Sequence, residues 1–340
     1  MKRLGILFFA LLVLLAAGCS DLIVQSSDSN LNVEDFEALW HRVDAVYPFL
    51  EFKGIGWDSL YPVYLQHFEA ARGDEALLVL NDLLAELKDA HIYYQTPGGG
   101  EVYPYYPQRY FRDVHSYSPL IVRHYFTEEL TVTESGTIEY GLLPDNIAYV
   151  YLSSFQADFL LREFPSVLEH FRDSNGLIID LRDGIGGSFQ NIEAVVTRFM
   201  SQPMNKPSYY RLGELIELPQ FQPRGPHIYT NPVVVLINGT TISAPEWTTE
   251  ILKQLPQVTV VGDTTGGAGV ASSNATIETV GEYELPSGKS VYIGTEYFEA
   301  YDGRPIEGLG VTPDIQVIQT AADIELGRDL ILEQAMALHH

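Results

Sequence analysis

The spacing of apolar residues changes along the chain, from a helical pattern near the amino terminus to a strand-and-helix pattern further on. Along much of residues 32–91, apolar side chains recur every three or four positions, which predicts three amphipathic helices. The first helical face comprises Val33, Phe36, Leu39, Trp40, Val43 and Tyr47, and the third comprises Leu77, Leu80, Leu84 and Leu87. We therefore expect a small helical lobe over residues 32–91.

From residue 146 onward, short continuous apolar runs alternate with helical patterns. The predicted strands are residues 147–152, 177–181, 233–237 and 258–261, with further short strands near Tyr283, Tyr292 and Ile315. The predicted helices are residues 159–171, residues 188–200 and a segment after Ser243. Because continuous apolar strands are usually buried on both faces, this order predicts an α/β core over residues 146–320. Residues 321–340 are expected to form a C-terminal helix or tail.

Residues 92–145 connect these two parts and have no clear period. They are rich in tyrosine, and two short runs within them, residues 120–125 and 130–132, have a strand-like composition. The chain contains no internal repeat and no low-complexity block. We therefore predict an irregular connecting segment at residues 92–145.

The first nineteen residues resemble a bacterial lipoprotein signal. Lys2 and Arg3 precede an apolar run at residues 4–15, and the sequence Leu-Ala-Ala-Gly-Cys ends at Cys19. The apolar run is too short to span a membrane. Cys19 is the only cysteine in the chain, so we expect it to carry a lipid that anchors the protein in the bacterial cell envelope. Residues 20–31, rich in serine and aspartate, are expected to be a flexible linker.

Composition excludes several classes of function. Hydrophobic residues make up 46% of the chain and aromatic residues 12%, which is too much for a mostly disordered protein. The net charge of −25 repels nucleic-acid phosphates, so a nucleic-acid partner is not expected. The histidines are scattered without paired-ligand spacing, and no metal site is predicted. With Cys19 assigned to the anchor, neither a thiol nucleophile nor a disulfide is available.

Ser243 lies where a predicted strand gives way to a helix. Asn238-Gly239 breaks the strand at residues 233–237, and a helical pattern begins at Glu246. A serine at this junction can present its hydroxyl beside backbone N–H groups and the positive end of the helix dipole, as a nucleophile requires. Ser243-x-x-Glu246 is also a capping box, in which the serine has only a structural role. The segment alone leaves both interpretations open.

Other segments contain candidate functional residues for which the sequence signal is weaker. A glycine-rich loop at residues 180–187 can present N–H groups to an anion, although it can equally be a tight turn. It lacks the spacing of a P-loop or a dinucleotide-binding motif, which argues against a nucleotide ligand. His91 follows a helix and could be a general base, a capping residue or a surface residue. Asp89 is expected on the helix surface, and Glu307 by itself is typical of a solvated loop.

Six segments in this order resemble the tail-specific, or C-terminal processing, protease family in the broad sense that includes the tricorn core protease. They are Leu-Lys-Asp-Ala-His91, residues 147–155, Asp180-Leu-Arg-Asp-Gly-Ile-Gly-Gly187, Thr241-Ile-Ser-Ala-Pro-Glu246, Gly262-Asp-Thr-Thr-Gly-Gly267 and Glu307-Gly-Leu-Gly-Val-Thr-Pro-Asp314. The resemblance implies a ClpP/crotonase-like α/β core. It also implies a serine peptidase that acts on peptides or unfolded proteins without a metal or cofactor.

The resemblance assigns the catalytic roles by position. A second glycine loop, at residues 261–270, follows a predicted strand. One arrangement in the family uses a lysine in this second glycine loop as the base, but the matching position here is Ala268. In the tricorn-like arrangement, Ser243 would be the nucleophile, His91 the base and Glu307 the supporting acid. A serine hydroxyl needs a base nearby, and an imidazole is suited to that task.

The remaining implications concern the oxyanion and the substrate. The oxyanion would be bound by the N–H of Ala244 and by that of Gly186 or Gly187. Many relatives carry a PDZ domain, but residues 92–145 are too few for one, so a PDZ-less lipoprotein form is expected. The alternative function is a catalytically inactive module that binds a ligand or peptide on the same core. The sequence leaves the oligomeric state open.

Overall fold

The computed structural model describes residues 30–113, 115–271 and 281–339. The lipid attachment predicted at Cys19 lies outside these residues. The described chain forms two compact units. The first comprises residues 30–88, 92–105 and 281–293, and the second comprises the other described residues, among them 89–91.

Three helices and a small sheet build the first unit. The helices are α1 (residues 30–46), α2 (Trp57–Ala70) and α3 (Glu75–Ala85), close to the predicted positions. Trp40 of α1 stacks on Trp57 of α2 in the core, with ring centroids 4.1 Å apart. The strands are β1 (Tyr93–Gln95), β2 (Glu101–Val102), β14 (Glu282–Glu284) and β15 (Ser290–Tyr292), in the antiparallel order β14-β15-β1-β2. A segment late in the chain therefore completes this unit, which local periodicity cannot reveal.

A seven-stranded sheet forms the centre of the second unit. Its strands are β3 (Thr131–Val132), β4 (Ile138–Leu143), β5 (Ile147–Leu152), β7 (Gly176–Asp180), β11 (Val233–Ile237), β12 (Val258–Gly262) and β17 (Ile315–Gln316). Their order is β17-β12-β11-β7-β5-β4-β3, with parallel pairing from β17 to β5 and antiparallel pairing beyond it. The strands predicted at residues 147–152 and 233–237 are confirmed with the same bounds.

Apolar side chains cover both faces of this sheet, as the continuous apolar strands predicted. The helices α6 (Phe159–His170), α7 (Phe189–Val196) and α8 (Ala244–Leu252) share one core with Val235 and Ile237 of β11. The helices α5 (Pro119–Arg123) and α10 (Leu330–Ala337) share the other core with Val234 and Leu236. Because β7 and β11 are parallel neighbours, the loops that follow them emerge at the same edge of the sheet.

Short elements complete the second unit. The strands β6 (Ser154–Phe155) and β8 (Ile185–Gly187) pair in parallel, and the strands β9 (Ser208–Arg211), β10 (Glu214–Ile216), β13 (Val270–Ala271) and β16 (Glu296–Glu299) form an antiparallel sheet in the order β10-β9-β16-β13. The remaining elements are the helices α4 (Gln108–Asp113) and α9 (Ala321–Glu325) and a 3₁₀ turn at Pro144–Asn146. Among the residues that the structure describes, no helix is long and apolar enough to cross a membrane.

One predicted strand is a helix. Residues 120–125 have the β-branched composition of a strand, but α5 begins at Pro119 and runs to Arg123. Proline suits the first turn of a helix because its φ is already fixed near the helical value and it has no N–H to leave unpaired. Val122 is buried in the core shared with β11 and α10, so packing outweighs the strand preference of the sequence. The short strand predicted at residues 130–132 is confirmed by β3.

Candidate active site

Ser243 is held in an unusual backbone conformation at the N-terminus of α8. Its φ of 65° and ψ of −127° lie in a region that residues with a side chain seldom adopt. Strain of this kind, of order 1–3 kcal/mol, persists only where the surrounding structure imposes it. The Ser243 N–H donates to Glu246 Oε2 at 2.8 Å, and the Ser243 carbonyl accepts from the Glu246 N–H at 2.9 Å. Ser243 is therefore the N-cap residue of α8.

The hydroxyl of Ser243 meets the imidazole of His91. Ser243 Oγ and His91 Nε2 are 3.0 Å apart, although the two residues are 152 positions apart in the chain. A tight turn holds His91, since its backbone N–H donates to Asp89 Oδ1 at 2.8 Å. An imidazole nitrogen at this distance can accept the hydroxyl proton while the oxygen attacks an electrophile.

Two buried carboxylates lie beside the histidine. Asp89 and Glu307 are each 1% exposed, so the prediction that Asp89 lies on a helix surface is wrong, and so is the solvated-loop interpretation of Glu307. One ring nitrogen of His91 and one oxygen of each acid all lie within 4.8 Å of one another. Glu307 Oε2 also accepts a hydrogen bond from the Gly269 N–H at 2.9 Å, which restrains the carboxylate. The three side chains have the donor types of a metal site, a possibility that sequence spacing did not suggest.

The two glycines predicted for the oxyanion hole face different neighbours. A Cβ added to Gly186 would lie 2.8 Å from both Cβ and Oγ of Ser243, whereas one added to Gly187 would lie 1.8 Å from the Phe155 carbonyl oxygen. Gly186 thus allows the loop to approach the serine, and Gly187 allows β8 to approach β6. Ala244 is buried at the first position of α8, where backbone N–H groups have no partner within the helix. Of the two glycines, Gly186 is the one next to the serine.

Glu246 links the serine to the second glycine loop, a role that the sequence did not suggest. Its side chain is fully buried, and its two oxygens accept four hydrogen bonds. Besides the Ser243 N–H, the donors are Thr265 Oγ1 at 2.5 Å, the Gly267 N–H at 2.7 Å and the Ala268 N–H at 2.9 Å. Burial raises the pKa of Glu246, and the hydrogen bonds counteract that shift. The only signal in the sequence was the capping-box spacing, which accounts for one of these four donors.

A buried ion cluster fixes the start of the first glycine loop. Arg182 is fully buried, and its guanidinium donates to Asp180 at 2.6 and 2.9 Å and to Asp329 Oδ1 at 2.9 Å. Burial acts to lower the pKa of Arg182, but the two carboxylates outweigh it and hold the pKa well above its ordinary value. Asp329 also caps α10 by accepting from the Leu332 N–H at 2.9 Å. The loop that carries Gly186 is therefore tied to the C-terminal helix.

Comparison with known proteins identifies relatives of this core. The model of peptidase family S41 matches residues 146–317, half of the chain. The carboxyl-terminal-processing protease of Synechocystis sp. is 26% identical over 198 residues, which are 57% of this chain and 44% of the relative. The carboxy-terminal processing protease CtpA of Bacillus subtilis is 25% identical over 183 residues, which are 53% of this chain and 37% of the relative. The chain thus spans less than half the length of these curated relatives.

A solved structure covers more of the chain. The crystal structure of a candidate peptidase from Parabacteroides merdae aligns with 91% of this chain and 96% of its own, with a TM-score of 0.77 and 28% sequence identity. The photosystem II D1 C-terminal processing protease covers 86% of this chain and 93% of its own, with a TM-score of 0.51 and 19% identity. The second likeness supports the fold alone.

Proposed function

This chain belongs to peptidase family S41, and from that premise we propose that it is a serine peptidase in which Ser243 is the nucleophile and His91 the general base. The observation that carries the proposal is the 3.0 Å distance between Ser243 Oγ and His91 Nε2. The buried position of Glu307 beside the imidazole supports it further, because an acid at that place stabilises the imidazolium that forms during the reaction.

The proposed reaction is acyl transfer. His91 accepts the proton of Ser243 as Oγ attacks the carbonyl carbon of a peptide bond, and the oxyanion that forms accepts hydrogen bonds from the N–H groups of Ala244 and Gly186. His91 then gives the proton to the leaving amine. His91 then accepts a proton from water as its oxygen attacks the acyl carbon, and returns that proton to Ser243 Oγ as the bond between Oγ and the acyl group breaks. Every proton transfer in this cycle uses a group of the chain itself.

The proposed substrates are peptides or unfolded proteins. Two relatives are named for processing at carboxyl termini, and this chain could share that preference. Residues 92–145, where many relatives carry a PDZ domain, are here divided between the two units instead of forming a body of their own. Recognition of a free carboxyl terminus would therefore depend on the peptidase core itself.

A fluorophosphonate probe tests the nucleophile. We expect covalent labelling of the wild type and none of Ser243→Ala, because the probe phosphonylates only a serine that is activated by a base. Labelling is read by in-gel fluorescence and the labelled residue is identified by peptide mass spectrometry. Ser118→Ala is the matched control, because Ser118, like Ser243, is the N-cap residue of a helix with a proline in its first turn.

Labelling that survives in Ser243→Ala would reject the assignment of the nucleophile. If neither the wild type nor the Ser118 variant is labelled, the chain is instead the inactive binding module that the same core could form. Circular dichroism of the three proteins distinguishes a lost nucleophile from a lost fold.

We further propose that Cys19 carries a lipid and anchors the protein to a membrane of the bacterial cell envelope. The support is the lipobox-like sequence that ends at the only cysteine of the chain. In cells grown with an alkyne-tagged fatty acid, the wild type is expected to take up the tag and to sediment with membranes, while Cys19→Ser should do neither. Ser20→Ala, one position later, is the control and should behave like the wild type. Equal tagging of wild type and Cys19→Ser would contradict the anchor.

A further inference from the structure

We propose that Asp89, His91 and Glu307 form a binding site for a zinc-type transition-metal dication, and that occupation of this site switches off the Ser243–His91 pair. The regulatory half of this proposal rests on the function proposed above, whereas metal binding itself does not. The three residues come from distant parts of the chain, a tight turn after α3 and a loop between β16 and β17. Their convergence is therefore a property of the fold.

The geometry brings three suitable donors together. One nitrogen of the imidazole and one oxygen from each carboxylate lie within 4.8 Å of one another. Zinc binds histidine nitrogen and carboxylate oxygen at about 2.0–2.2 Å and is often held by three protein ligands with a fourth position open. A water molecule, or the hydroxyl of Ser243 next to His91, could occupy that fourth position.

Charge favours a cation at the same place. Asp89 and Glu307 are almost completely buried, and the hydrogen bonds they accept include those from the backbone N–H groups of His91 and Gly269 respectively. Two carboxylates that lie close together in a buried environment repel each other when both are ionised. A dication between them relieves this repulsion and gains favourable interaction with both.

The donor set selects the kind of metal. One nitrogen and two oxygens suit zinc and neighbouring divalent transition metals. Magnesium and calcium prefer six or more oxygen ligands, so neither should bind well here. The chain's only cysteine, Cys19, is the predicted lipid-attachment residue, so the proposed site contains no thiolate.

A bound metal ion prevents His91 from acting as a base, whichever of its two ring nitrogens binds the ion. If the ion takes Nε2, it occupies the lone pair that must accept the Ser243 proton. If it takes Nδ1, the single remaining ring proton lies on Nε2, which then donates to the hydroxyl instead of accepting from it. In both cases Ser243 loses its base without any change in the fold, and removal of the metal restores it.

A binding experiment tests the site directly. The full chain is titrated with zinc against a chromophoric zinc indicator, first as wild type and then as Asp89→Asn. The asparagine retains an oxygen for the His91 N–H but loses the charge, so we expect zinc affinity at this site to fall at least about tenfold. Asp35→Asn is the matched control, because Asp35 is also buried and accepts a backbone N–H, that of Ser287. Histidines elsewhere, including His339, are common to all three proteins and cancel in the comparison.

A second experiment tests regulation. We expect saturating zinc to slow fluorophosphonate labelling of the wild type at least about tenfold, EDTA to restore it, and millimolar magnesium to have no effect. Equal zinc affinity in wild type and Asp89→Asn would overturn the site. Zinc that binds at the site but leaves labelling unchanged would overturn the switch. A wild type that is never labelled, even after EDTA, would instead contradict the proposed peptidase function, while the indicator titration would still decide whether the metal site exists.

Discussion

Replacing His91 with alanine is expected to lower kcat for peptide hydrolysis by about ten-thousand-fold or more, while the protein remains folded. The reason is the single contact between His91 Nε2 and Ser243 Oγ, since without it the hydroxyl keeps its proton and is a poor nucleophile. His91 is only partly buried, so its removal leaves no large cavity in the core. Steady-state kinetics on a fluorogenic peptide gives the measurement, and circular dichroism confirms the fold.

His124→Ala provides the comparison for this variant. His124 is an exposed histidine at the C-terminal end of α5, so its loss should leave kcat within about twofold of the wild type. The pH profile supplies a second readout, because an imidazolium cannot accept a proton. Wild-type hydrolysis should therefore fall at acid pH, where the imidazole of His91 is protonated. Undiminished activity in His91→Ala would reject the assigned base.

Local patterns in the sequence were sufficient for the parallel strands of the central sheet, but not for β4, which lies in the segment at residues 92–145 that was predicted to be irregular. The run at residues 233–237 consists only of large aliphatic residues, and such a run is stable mainly as a strand covered on both faces. The same reasoning was wrong at residues 120–125, where the composition resembles a strand but Pro119 starts a helix. The composition of a segment shows which secondary structures it can adopt. Neighbouring residues and core packing decide which of these it forms.

The site was predictable only in part. The order of the short motifs indicated Ser243, His91 and Glu307 through their resemblance to a family, but no spacing in the chain indicated that Asp89 joins them. Asp89 lies two positions before His91 and looks like an ordinary residue at a helix end. Its importance arises from burial beside Glu307, more than 200 positions away, and such long-range convergence leaves no local periodic signal.

Glu246→Gln is expected to destabilise the protein by roughly 3–5 kcal/mol and to lower kcat about a hundredfold in the fraction that folds. Both oxygens of Glu246 accept two donors each: Oε1 from Thr265 and Gly267, and Oε2 from Ser243 and Ala268. A glutamine has one oxygen, so whichever way its amide turns, its NH₂ group faces at least one backbone N–H. Chemical denaturation gives the free energy of unfolding, and fluorophosphonate labelling gives the rate at Ser243.

Glu250→Gln, one helical turn later, is the control for Glu246→Gln. It shows how much stability is lost when any buried charge is removed from α8. Glu250 also lies on α8 and is buried, but within the described part of the chain its hydrogen bonds are accepted by Oε1, from the Tyr301 N–H and from Gln254 Nε2. A glutamine can keep its oxygen there, so Glu250→Gln should cost less than about 1 kcal/mol and leave labelling close to wild type.

If Glu246→Gln and Glu250→Gln lower the free energy of unfolding and the labelling rate equally, then α8 needs only negative charge at these positions. A large loss in Glu246→Gln alone would mean that the four-donor geometry is what matters. The Ser243 N–H and the N–H groups of Gly267 and Ala268 converge on one carboxylate, and the next N–H along that loop, from Gly269, holds Glu307. Loss of Glu246 therefore loosens the nucleophile and the restraint on the supporting acid together. For that reason we expect kcat to fall while KM changes little, since the Glu246 side chain is fully buried and not exposed to a substrate.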